Sequence, residues 1–198
     1  MARTKAVDYD QKRELILTTA ASMFAAEGYD RSSMSSLAAA CGMSKALLYH
    51  YYKNKDALLY DVIRGHLEDL CERVEAADAP TAGAEERLMG LCIALLLGYQ
   101  DADNEHKVQL NALKFLGPEE QESIKALERR LVVVFADAIR GINPRFADAD
   151  DVLLKPVTMS LFGMLNWHYM WFRPNGPVSR EDYAVIVTQI IVAGARSL

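Results

Sequence analysis

Apolar residues recur along this chain at spacings of three and four, the mark of helices buried on one side. Ile16, Ala20 and Phe24 form one such stripe at i, i+4 and i+8. No run of alternating β-branched residues reads as a strand, and Ala, Leu, Glu and Met fill the periodic segments. Breaks fall at Gly28, Gly42, Pro80 to Gly83, Gly117-Pro118, Gly141 to Pro144 and Pro174 to Pro177. Between them the pattern predicts nine helices, over about 9–27, 34–40, 45–51, 55–77, 84–102, 105–116, 119–140, 150–172 and 179–196. The expected fold class is all-α. The first three helices are too short for separate cores and must pack as one head. The long fourth helix joins that head to the rest. The division is placed after residue 55, giving a head over 1–55 and a second domain over 56–198.

Residues 32–58, SSMSSLAAACGMSKALLYHYYKNKDAL, carry the most specific signal. Ser33 can cap a short helix with Leu37 and Ala38 facing inward. Gly42 supplies the permissive backbone of a tight turn. Ser44 can cap a second short helix that points Leu48 and Tyr52 inward and shows Lys45, Ala46, Leu47, Tyr49 and His50 outward. Two short helices joined by a Gly turn, the second with a polar and aromatic outer face, describe a helix-turn-helix. The hydroxyls and backbone N–H groups at Ser33 and Ser44, the Tyr49 hydroxyl and the Lys55 ammonium suit phosphate contacts. Lys45 and His50 lie where base edges would be reached, Leu47 suits a thymine methyl, and Ala46 shares their DNA-facing side. Arg3 and Lys5 are expected on a disordered arm able to enter a neighbouring groove.

Over about residues 12–60 the chain resembles the DNA-binding domain of the TetR family of transcriptional regulators. The shared positions are Gly28-Tyr29, Ala38, Gly42, Met43, Ser44, Tyr49, Tyr52, Lys55 and Leu58. Three positions depart from the family pattern: Leu47 stands for a small or hydroxylic residue, Tyr52 for Phe, and Lys53 for Pro. These departures touch the base sequence read, not the fold. The resemblance implies a homodimer on pseudo-palindromic operator DNA, with a helical ligand-binding and dimerisation domain after the head. It also implies pairing of the last two helices with those of a dimer mate.

Composition and charge refine this picture. The net charge of −5 argues against a nucleic-acid binder until it is resolved along the chain. Residues 1–60 hold eight Lys/Arg and six Asp/Glu, so the excess acid lies entirely in residues 61–198. Cys41, Cys71 and Cys92 have no metal-type spacing and suit buried thiols in a reducing cytoplasm. The polar start has no signal-peptide core, and the most apolar run, Leu88 to Tyr99, is too short to span a bilayer, so no membrane association is expected. The four His lack partners at metal-ligand spacing, and no GxSxG, HExxH or Gly-rich phosphate loop appears. No metal, cofactor or catalysis is expected.

In the second domain the helices at 150–172 and 179–196 are apolar on more than one face, consistent with the bundle that the resemblance implies. Residues 166–177, NWHYMWFRPNGP, crowd aromatic residues ahead of Arg173 and a Pro/Gly turn. A packed core segment accounts for this. A second reading is a partial likeness to family members that sense acyl-CoA thioesters. On that reading Leu95, Tyr99, Phe115, Phe162 and Tyr169 line an apolar site, with Asn111, His168 and Arg173 as polar anchors. The expected function is a repressor released from its operator by such an effector. An activator of the same fold, and a helical lipid- or acyl-binding protein without DNA-binding activity, remain as alternatives. Salt-dependent binding to duplex DNA would separate the last of these from the first two.

Overall fold

The computed structural model describes residues 2–148 and 151–198, with side chains described from Val7 onward. Within them the chain is all-α, with nine α-helices and short 3-10 turns. Packing groups the residues into two compact units, 1–67 with 102–125, and 68–101 with 126–198. The expected boundary at 55/56 falls at the start of a helix, and the unit holding the head continues to residue 67.

In the first unit, α1 (Ala2–Glu27) buries the stripe of Ile16, Ala20 and Phe24. It ends where Gly28 turns left-handed at φ +89° and donates its N–H to the Phe24 carbonyl. The left-handed cap costs glycine nothing because it has no Cβ. Helix α1 begins at Ala2, so positions 3 and 5 stand on its first turns and not on an unstructured arm. The side chains of Arg3 and Lys5 lie outside the described residues. Helices α2 (Met34–Ala40) and α3 (Lys45–Tyr51) follow, then α4 (Lys55–Ala77). Helix α6 (Asp103–Ala112) packs against α1 and passes into a 3-10 turn at Leu113–Phe115.

In the second unit the main packing is α5 (Ala84–Gly98) on α9 (Arg180–Ser197). Leu88, Leu91, Cys92, Leu95 and Leu96 of α5 are buried, as are Ala184, Val187, Ile191, Val192 and Ala195 of α9. Each fully buried Leu contributes about 1.5–3 kcal/mol. At the end of α5 a Cβ on Gly98 would lie 2.5 Å from Leu70 Cδ2, so this glycine is required for close approach. Helix α7 (Pro118–Arg140) contributes Leu131, Phe135, Ala138 and Ile139 to this core.

Helix α8 (Leu154–Trp167) is shorter than the 150–172 expected. Pro156 explains its start. In the first turn its missing N–H is one that would find no partner anyway, whereas a helix beginning at 150 would set its ring against the carbonyl of residue 152. At the other end Trp171 and Phe172 both donate their N–H to the His168 carbonyl, which turns the chain through a 3-10 segment at His168–Met170. Similarly α5 stops at Gly98 and the chain reverses at Asp101, with φ +63°. No helix is long and apolar enough to cross a membrane among the described residues.

Candidate nucleic-acid interface

The sequence dictates the α2–α3 geometry locally. Ser33 Oγ accepts the Ser36 N–H at 3.0 Å, and Ser36 Oγ accepts the Ser33 N–H at 3.1 Å, a reciprocal cap at the start of α2. After α2, Gly42 sits at φ +63° and Met43 donates its N–H to the Ala38 carbonyl at 3.0 Å. Nothing lies within 4 Å of a Cβ placed on Gly42, so the backbone angle and not space demands glycine there. Ser44 Oγ accepts the Leu47 N–H at 3.1 Å and so caps α3.

Only Leu48 of α3 is buried, at 0% exposure. Lys45, Ala46, Leu47, Tyr49 and His50 are all exposed, as are Ser33 and Ser44. The helix carries no acidic residue, and the Lys45 ammonium lies 5.9 Å from the Tyr49 ring centroid. The structure therefore gathers seven of the eight expected DNA residues on the head with their side chains open to solvent.

Lys55 is the exception. It is half-buried, and its Nζ donates to the Tyr29 carbonyl at 2.7 Å and the Ser32 carbonyl at 2.9 Å. The same ammonium sits 4.0 Å from the Tyr29 ring centroid. The connection between α1 and α2 thus holds this side chain at the edge of the head.

Two braces escaped sequence reasoning. Asp61 of α4 accepts Arg13 of α1 at 2.7 Å and the hydroxyl of Tyr52, just past α3, at 3.2 Å. Burial, with the Asp61 charge second, pushes the Tyr52 phenol well above its usual range, so it stays a neutral donor. Tyr9 stacks on Tyr51 at 4.7 Å between centroids. Both braces join residues distant in sequence, and no local pattern announces them.

The expected ligand residues divide between the two units. Asn111 and Phe115 belong to the first, where they line a cleft of about 570 Å³ with Phe24, Tyr29, Arg31 and Lys107. Leu95, Tyr99, Phe162, His168, Tyr169 and Arg173 belong to the second. Leu95 is buried, Tyr99 donates its hydroxyl to Asn166 Oδ1 at 2.7 Å, and Phe162 meets Phe135 edge to face at 5.1 Å. His168, expected as a polar anchor, is 1% exposed and packed between Phe172 and Tyr183. Its Nδ1 lies 3.3 Å from Nη1 of the buried Arg180. Tyr169 is half-buried and Arg173 exposed. The sequence pattern does not announce this burial of Arg180. It stands directly after the Ser179 cap, in the first turn of α9, where the dipole disfavours positive charge. Among the described residues no three His, Cys, Asp or Glu side chains gather as a metal site.

A capped two-helix unit with a Gly turn, Leu37 and Leu48 buried and an outward face free of acid defines a helix-turn-helix DNA-binding protein. Comparison with known proteins places it further. The profile described as "Bacterial regulatory proteins, tetR family" matches residues 16–62, and that described as "Tetracyclin repressor-like, C-terminal domain" matches residues 81–195. The chain belongs to the TetR family and is a DNA-binding transcriptional regulator, not an enzyme. It is 31% identical to a TetR-family regulator from Bordetella parapertussis 12822, with a TM-score of 0.82 over 90% of this chain and 93% of the other. It is 27% identical, with a TM-score of 0.77 over 90% of this chain and 97% of the other, to AibR in complex with isovaleryl coenzyme A and operator DNA. The HTH-type transcriptional repressor KstR2 of Mycobacterium tuberculosis (strain ATCC 25618 / H37Rv) is 23% identical over 194 residues, 93% of each chain.

Proposed function

We propose that this regulator is a homodimeric repressor that leaves a pseudo-palindromic operator when an acyl-CoA thioester binds. The observation that carries the reading is the similarity, over nine-tenths of the chain, to AibR, whose structure holds both isovaleryl coenzyme A and operator DNA. Lys45, Ala46, Leu47 and His50 read base edges in the major groove. Leu47 is suited to a thymine methyl. Ser33, Ser44 and Tyr49 meet phosphates and fix the register.

Dimerisation uses apolar side chains that the chain itself leaves uncovered in its second unit. Trp167 is 60% exposed, Ile190 55% and Ile186 44%. They lie on α8 and α9, with Ile186 and Ile190 one turn apart on one face, and exposed apolar side chains of this kind suit an interface. On this reading the acyl chain packs against Leu95, Tyr99, Phe162 and Tyr169 of the second unit, with Arg173 as the cation for the CoA phosphates. The effector acts only if it favours a dimer whose recognition helices no longer match major grooves about 34–36 Å apart.

The test is a titration. A fluorescent operator duplex, selected by the protein from a random pool, is bound at fixed salt, and isovaleryl-, medium-chain, long-chain and aryl-CoAs are added. Release by one class at micromolar concentration supports the reading. Release by none of them, with DNA binding intact, removes the acyl-CoA effector. Absence of salt-dependent duplex binding would instead favour a helical acyl-binding protein.

A further inference from the structure

Helix α3 spans seven residues and is capped at its C-terminal end by Tyr52, whose N–H donates to the Leu48 carbonyl at 3.0 Å. So short a helix frays unless both ends are held. The Ser44 cap holds the first turn. The last turn, which carries Tyr49 and His50, is held from α1. Tyr9 and Arg13 stand at i and i+4 on that helix and so share a face. Tyr9 stacks on Tyr51, with centroids 4.7 Å apart and planes at 23°. Arg13 Nη2 donates to Asp61 Oδ2 at 2.7 Å, and the same oxygen accepts the Tyr52 hydroxyl at 3.2 Å. The Asp61 side chain is only 19% exposed, which strengthens both hydrogen bonds. Two consecutive residues at the end of α3 are thus tied to α1, one by its ring and one through a carboxylate of α4. The family pattern has Phe at position 52, so a ring alone serves the core and the hydroxyl is an addition.

We propose that Tyr9, Arg13 and Asp61 clamp the C-terminal end of α3 and are positioning residues for operator recognition. The clamp fixes the direction of Tyr49 and His50, which run without a break into the two tied residues. Base contacts depend on that direction, whereas attraction to the phosphate backbone does not carry sequence information. The clamp therefore sets the preference for operator over other duplex. Asp61 gives the proposal a sign. Its charge repels phosphate, so removing it would tighten binding if charge alone mattered. Loss of the clamp predicts weaker operator binding from the same change. The proposal rests on α3 as the base-reading helix and is independent of the effector.

The full-length protein is bound at fixed salt to a duplex selected from a random pool and to a scrambled duplex of the same length. Wild type is compared with Tyr52→Phe, Tyr9→Ala, Tyr9→Phe and Asp61→Ala. Tyr52→Phe and Tyr9→Ala are each expected to lower the ratio of operator to scrambled affinity about fivefold, with scrambled affinity within about twofold of wild type. Tyr9→Phe keeps the stacked ring and is expected to restore the ratio. Asp61→Ala is expected to bind the operator more weakly, and adding Tyr52→Phe to it is expected to cost nothing further, because the hydroxyl acts through that carboxylate. An unchanged ratio in Tyr52→Phe overturns the clamp, as does tighter operator binding by Asp61→Ala or equal losses in Tyr9→Phe and Tyr9→Ala. A selection that yields no preferred duplex overturns the base-reading role of α3 and the proposal with it. Hydrogen exchange of the free protein separates lost position from lost stability. In Tyr52→Phe, which leaves the core ring in place, the Tyr52 amide is expected to exchange about fivefold faster while the α4 amides keep their rates. Equal acceleration throughout the head marks a purely structural role and overturns the proposal.

Discussion

His66 gives the sharpest quantitative test of the packing in the first unit. It lies on α4 at 6% exposure, with its ring 5.8 Å from that of His106 on α6. Burial, reinforced by the His106 imidazole, pushes its pKa down to about 3. In the unfolded chain the same group titrates near 6.5. The folded value is depressed, so the neutral ring belongs to the folded state. The unfolded state binds the proton first, and stability present above pH 6.5 is lost as pH falls toward 3. At pH 7.5 the loss is below about 0.1 kcal/mol, and at pH 5.0 it reaches about 2 kcal/mol. Any folded value below about 4 gives the same figure at pH 5.0, because the folded ring is then still mostly neutral. Urea unfolding followed by circular dichroism at pH 7.5 and 5.0 measures the loss for wild type and for His66→Gln. Groups other than the neighbouring His106 titrate alike in both proteins and cancel in the comparison. The wild type should lose about 2 kcal/mol more than the variant between the two pH values. If the two lose the same amount within about 0.5 kcal/mol, His66 is hydrated or protonated in the folded protein and the reasoning fails.

Three further predictions follow from packing and exposure. Gly98→Ala should destabilise by about 1–3 kcal/mol, because its Cβ would meet Leu70 at 2.5 Å, whereas Gly90→Ala, with nothing within 4 Å, should stabilise by about 0.5–1 kcal/mol; paired urea titrations check the opposite signs. Native protein treated with iodoacetamide at pH 8 should be alkylated at half-exposed Cys41 alone, since Cys71 and Cys92 are buried and burial pushes the Cys92 thiol up to about 12; peptide mass spectrometry reads the sites. Ile190→Asp should yield a folded monomer by sedimentation, while Ile191→Asp, at a position already 6% exposed within the chain, should unfold the protein, and a dimeric Ile190→Asp variant would reject the proposed interface.

Much of the fold was legible because its helix ends are written locally. Gly28 and Gly42 adopt the left-handed angles their positions suggested, and Ser33 and Ser44 accept the backbone N–H groups expected of caps. The inward and outward faces of α3 followed from spacing, with Leu48 and Tyr52 buried and the other candidate residues exposed. What failed to show was tertiary in origin. Lys55 lies where a phosphate contact fits the motif, and the hydrogen bonds that hold it run to carbonyls 23 and 26 residues away, which no local pattern announces. Asn111 and Phe115 share the apolar and amide character of a ligand lining, but only packing shows that they join the first unit while Leu95 and Phe162 join the second. The 150–172 helix was drawn too long because apolar content outweighed Pro156 at one end and the aromatic turn at the other.

The recognition helix spans seven residues and gives one side chain, Leu48, to the core. A helix so short is not stable by itself in water. Its order is lent by the Ser44 cap, the Asp61 brace and the Tyr9 stack, none of which involves the side chain of Lys45, Ala46, Leu47, Tyr49 or His50. On the proposed reading, folding and base recognition therefore fall to different side chains. Changes at the five outward positions should cost the fold within about 0.5 kcal/mol. Operator preference can then drift between relatives, or be redesigned, through substitutions that the scaffold scarcely registers.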